Sequence, residues 1–110
     1  MFKYTSLKLS KKLWDCGCRL DIEDKFYYFQ NINEDWILTT EDKYEKKVYE
    51  LYPAYDILWD ICIKYRFEFF GNNFELHEQI RNGVMYYLLS GNNERAENII
   101  WHNCVFNKEN

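Results

Sequence analysis

The chain has 110 residues, the length expected of one domain spanning 1–110. Apolar types make up 47 % of it, so a folded core is expected and intrinsic disorder is not. Fourteen basic residues against 18 acidic ones leave a formal net charge of −4, which disfavours a strongly cationic nucleic-acid binder, and no run approaches the roughly 20 apolar residues of a membrane span.

The opening MFKYTSLKLSKK holds no apolar stretch of signal-peptide length, which predicts a cytoplasmic protein. Cys16, Cys18, Cys62 and Cys104 are then expected as thiols. Along the chain, Ser6 to Cys16 reads as a helix. Ser6 caps it, Leu9 and Leu13 lie one turn apart, and Gly17 suits a left-handed stop. Lys25 to Gln30 (KFYYFQ) and Asp35 to Thr39 (DWILT) read as two strands joined by a turn at Asn31-Ile32-Asn33, a β-hairpin. The charged stretch 41–50 reads as a loop or a marginal helix.

Pro53 suits a first helical position, so a second helix is expected over 54–64. Ile57, Leu58, Ile61, Cys62 and Tyr65 form its apolar stripe, with Asp56, Asp60 and Lys64 as the solvated edge. Tyr55, Trp59 and Ile63 widen the apolar arc. That helix is therefore sandwiched between layers or exposes an aromatic patch. Arg66 to Phe70 (RFEFF) reads as a third strand ended by Gly71. Residues 74–89 carry helical spacing at Leu76, Ile80, Val84, Tyr87 and Leu88, while Asn82-Gly83 also fits a tight hairpin. The helix is preferred because its period is sustained along the segment. Asn93 caps a last helix over 94–104, with Ala96, Ile99, Ile100 and Cys104 inward. The fold class expected is α+β: a small antiparallel sheet of about three strands packed with three or four helices.

Motifs for chemistry are sparse. Cys16, Cys18, His102 and Cys104 make a mixed Cys/His set of a kind zinc accepts, without the paired CxxC or HxxxH spacing that usually marks it. No metal or cofactor is expected. His77 sits among charges and reads as solvated; no nucleophile motif accompanies it or His102. The four glycines are isolated, which excludes a P-loop. No catalytic residue is assigned. Aromatic residues reach 20 %, more than a small core comfortably buries. Tyr and Trp favour protein interfaces. A docking surface is therefore expected from Tyr27, Phe29, Trp36 and Trp59, with the carboxylates Asp21, Glu23, Asp24, Glu34 and Asp35, suited to a basic groove on a partner. Two basic clusters, Lys8/Lys11/Lys12/Arg19 and Lys43/Lys46/Lys47, offer phosphate contacts. The net charge opposes direct RNA binding by the chain alone.

Leu9 to Gly17 (LSKKLWDCG), the hairpin with Phe29 and Trp36, Tyr52-Pro53-Ala54, and Ile99-Ile100-Trp101 occur in an order that resembles a group of small prophage proteins. The sequence departs from that pattern at Trp101-His102-Asn103-Cys104, which is more polar. The resemblance implies a phage-encoded antagonist of host defence, similar in type to anti-CRISPR inhibitors of the RNA-targeting type VI-B nuclease. It implies stoichiometric binding to that nuclease or its RNA complex, disturbing guide or target RNA engagement. The other classes carried are a self-associating phage structural or assembly protein and a metal-dependent hydrolase.

Overall fold

Ser6 starts the first helix, α1 (Leu7–Asp15), in the computed structural model, which describes residues 3–22, 25–40 and 50–107. The Ser6 hydroxyl accepts the Leu9 amide hydrogen at 3.2 Å and donates to the Glu97 carboxylate at 2.6 Å. The Ser6 amide donates to the other Glu97 oxygen at 2.7 Å, so the far end of the chain fastens this cap. Gly17, at φ +90°, turns the chain out of the helix. Leu9 and Leu13 are buried, as their spacing predicts.

The hairpin forms as expected, with β1 (Phe26–Gln30) antiparallel to β2 (Trp36–Thr40). Its turn is built by Asn31, whose side-chain oxygen accepts the amides of Asn33 and Asp35 at 2.9 and 3.0 Å. Glu34 occupies that turn at φ +65°, a conformation that costs a residue bearing a Cβ about 1–2 kcal/mol. The third strand is β3 (Leu51–Ala54), antiparallel to β1 on its other side, so the sheet order is β2-β1-β3. The segment Arg66–Phe70, expected as a strand, is a short helix, α2, closed by Gly71 at φ +88°. Pro53 belongs to β3. Proline lacks the ladder donor, and an edge strand can do without it.

The expected helix over 54–64 therefore begins later, as a π-helix over Ile57–Lys64. Its amides reach back five residues: Ile61 N–H to the Asp56 carbonyl at 3.2 Å and Tyr65 N–H to the Asp60 carbonyl at 2.9 Å. Asp56 is the cap, and its carboxylate accepts the amides of Leu58 and Trp59 at 3.0 and 2.8 Å. The Asp60 carboxylate accepts the Asp56 amide at 3.0 Å. The solvated edge predicted for Asp56 and Asp60 is thus corrected: both are buried, because each carboxylate closes backbone donors that the turn would otherwise leave open. Ile57, Ile61 and Cys62 enter the core as expected, and Trp59 and Ile63 face outward.

Residues 74–89 are helical throughout as α3 (Phe74–Leu89), capped by the Asn73 side chain. Gly83 is not a hairpin turn. A Cβ there would meet Ile99 Cδ1 at 3.4 Å, so the glycine lets α4 (Asn93–Asn103) lie close. Asn92, one residue earlier than expected, caps α4. The observed class is α+β, a three-stranded antiparallel sheet with helices. The core joins α1, the π-helix, α3 and α4 through Leu13, Ile61, Val84 and Ile100. No helix among the described residues is long and apolar enough to cross a membrane.

Asp56→Ala removes the cap and leaves two amides open. It is expected to cost about 1–2 kcal/mol, read as a lower urea midpoint at unchanged slope.

Candidate functional site

The residues chosen from sequence separate in the structure. Asp21, Glu34 and Asp35 are exposed, the latter two on the hairpin turn. Glu23 and Asp24 lie outside the described residues, as do Lys43, Lys46, Lys47 and most of the charged stretch 41–50. Tyr27 is half-buried and Phe29 is 3 % exposed, so Phe29 supports the fold and offers no docking surface. Tyr27 and Phe29 share one face of β1, which is closed over Phe29 and only partly over Tyr27.

Part of the aromatic surplus is covered by the chain's own cations. The Lys11 ammonium sits 4.6 Å from the Trp36 ring centre and 5.5 Å from that of Tyr52. Lys12 lies 5.1 Å from the Trp101 ring, and the Arg19 guanidinium lies 3.2 Å from that of Trp14. Arg19 also donates to the carbonyls of Trp14 and Cys18. These basic residues do not gather as one free patch; each is committed to a ring. Three of the four tryptophans thus carry a cation on the ring. Trp59 is the exception: it is 53 % exposed, and among the described residues no cation or ring stacks on it.

Cys18 and Cys104 are buried; Cys104 acts electrostatically on Cys18, as Cys16 does on Cys104. His102 is exposed, and among the described residues no group of three or more His, Cys, Asp or Glu is placed to hold a metal ion. All four cysteines are free thiols. Burial pushes the Cys18 thiol from 9.0 up to about 11, and the Cys62 thiol up to about 12. That is opposite to the depressed value of a nucleophilic thiolate.

A cleft that sequence reasoning missed lies between the π-helix and α3, beside α2. Cys62, Arg66, Phe74, His77, Glu78 and Arg81 line about 200 Å³. Phe74, Glu78 and Arg81 follow one face of α3 at helical spacing. The sequence expectation of a solvated His77 is corrected: His77 is 4 % exposed. Its spacing to Ile80, Val84 and Leu88 puts it on the buried stripe, a pattern visible in the sequence but masked by the charges beside it. His77 Nε2 donates to the Gly71 carbonyl at 2.6 Å. Its Nδ1 and the Arg66 Nε are closed from solvent without hydrogen-bond partners. The Arg66 guanidinium lies over the rings of Phe67 and Phe74, 5.1 and 5.2 Å from their centres.

Comparison of the chain with protein-family models, curated proteins and solved structures found no match.

Because the unfolded thiols ionise near pH 9 and the folded ones hold their protons to about 11 and 12, stability from this source is full below about pH 9. It falls as pH rises from there through 11 and 12. Urea midpoints measured across that range are expected to decline. Cys62→Ala is expected to lower the midpoint overall and to make its pH slope shallower.

Proposed function

We propose that this chain is a non-catalytic inhibitor that binds a partner protein in a one-to-one complex, with Trp59 as the anchor of the contact. The observation that carries the reading is the contrast among the tryptophans. Burying a bare indole in a partner's pocket recovers apolar area that folding leaves in water, and Trp is the side chain most enriched among energetic anchors of interfaces. Ile63, at the edge of exposure, widens the apolar contact around it on the same helix. Glu34, Asp35 and Asp21 supply exposed negative charge that favours a basic surface. The strained backbone at Glu34 supports a role for that turn beyond joining two strands.

The partner proposed from the sequence resemblance is an RNA-targeting type VI-B nuclease. Its RNA-binding channel is necessarily cationic, and an acidic protein seated beside it would disturb guide or target RNA. The chain's own side chains make and break no bonds in this reading. Titrating the purified chain into the nuclease–guide complex and measuring target RNA cleavage tests it. Cleavage is expected to fall in proportion to added chain and to level off near one equivalent. Trp59→Ala is expected to weaken the complex about 30-fold or more, corresponding to at least about 2 kcal/mol. Its effect on stability should stay within about 0.5 kcal/mol, as for an exposed site. Unchanged cleavage at large excess, or full potency of Trp59→Ala, contradicts the proposal. A concentration-dependent multimer in sedimentation, lost in Trp59→Ala, would reassign the indole to self-association.

A further inference from the structure

We infer that the hollow where the start of the chain meets α4 is a binding site for a small zwitterion, a dipeptide with apolar side chains. Its walls come from the segment before α1, from α1, β1 and the π-helix, and from the end of α3 and the start of α4. Because so many stretches of chain meet there, the fold as a whole sets its shape and no single loop does. It holds about 660 Å³, within the roughly 300–1,000 Å³ of sites that enclose a drug-sized ligand.

The walls carry charge of both signs. Lys3 and Lys8 come from the start of the chain and α1, and Glu94 and Glu97 from α4. Among the described residues no ion pair joins a lysine of this set to a glutamate. Glu97 is fixed in place by Ser6, whose amide and hydroxyl donate to its two oxygens, and each oxygen keeps a further lone pair for another donor. Tyr28 lines the same hollow. Burial and the Glu97 charge both raise its pKa, so its phenol stays protonated and can donate. Ile57 and Leu88, both buried, add apolar surface.

That combination selects the ligand. A simple anion would meet the two glutamates, and a simple cation the two lysines. A neutral molecule would leave all four charges unanswered. A zwitterion satisfies both signs: its carboxylate accepts from the lysines and Tyr28, and its ammonium donates to Glu94 and Glu97. The apolar lining calls for apolar side chains between the two charged ends. An extended dipeptide separates its ends by roughly 7 Å, so different elements can hold them at once. A free amino acid brings its two charges closer together and leaves much of the hollow to water. This inference concerns the isolated chain and does not rest on the proposed inhibitory role.

The test is titration of the ¹⁵N-labelled chain with the dipeptide Leu-Leu, its N-acetyl form, its C-terminal amide and free leucine, following the Ser6, Asn93 and Glu94 amide resonances. Leu-Leu is expected to move all three. Each capped form, and free leucine, should bind about tenfold more weakly or worse. Lys8 and Glu94 are exposed, so Lys8→Gln and Glu94→Gln should keep the folded spectrum. Glu94→Gln is expected to weaken Leu-Leu about tenfold and to leave the N-acetyl form unchanged, because that form has no ammonium to lose. Lys8→Gln should weaken Leu-Leu and leave the amide form unchanged. The inference is overturned by unmoved resonances at millimolar Leu-Leu, or by capped forms or free leucine that match it. Undiminished binding in both variants, or losses equal for capped and uncapped ligand, would overturn it too.

Discussion

The buried exchange between Asp56 and Asp60 governs the arrangement of everything around it. One carboxylate closes the amides that open the π-helix, and the other closes the amide of the capping residue itself. Two acidic side chains are thereby drawn out of water, a cost that backbone hydrogen bonds offset. The turn they enclose is wider than an α-turn, with amides bonded five residues back. This sets Ile57, Ile61 and Cys62 into the core and directs Trp59 and Ile63 to solvent. It also sets where α2 begins, and so places Arg66 against α3. The bare indole and the cleft both descend from one local constraint.

The chain's own cations cover part of its aromatic surface. Lysines and arginines lie over ring faces at Trp14, Trp36, Trp101, Tyr87 and Phe67. Each contact contributes roughly 0.5–1 kcal/mol at an exposed site. It also hides apolar area that would otherwise invite association. Those basic residues lie on the protein's own rings, and the hairpin turn presents exposed carboxylates. Against that background Trp59 stands, among the described residues, without a cation on its ring, and the proposed contact with a partner is built on it.

Much of the fold was legible because it depends on local pattern. Leu9, Leu13 and the Ser6 cap define α1, the aromatic alternation and Asn31 define the hairpin, and the long period of α3 outweighs the Asn-Gly pair within it. The failures have two physical origins, one in long-range strand pairing and one in local backbone donors. Arg66–Phe70 has strand-like composition, but β1 already finds its second neighbour in Leu51–Ala54, and only tertiary structure can say so. Asp56 and Asp60 are four residues apart and read as a solvated edge; their burial comes from backbone donors that a sequence pattern does not display. The candidate site was less legible. Trp59 is exposed, one of the two outcomes its wide apolar arc allows, whereas Phe29 is buried. Arg66 comes from α2 and His77 and Arg81 from α3, elements that meet only once the π-helix has turned.

The outward indole and the cleft wall both follow from the five-residue hydrogen-bond register of Ile57–Lys64. Scalar couplings measured across hydrogen bonds by NMR report that register directly. The account predicts couplings from the Ile61 amide to the Asp56 carbonyl and from the Tyr65 amide to the Asp60 carbonyl. Couplings from Ile61 to Ile57 and from Tyr65 to Ile61, the pattern of an ordinary α-helix, would contradict it.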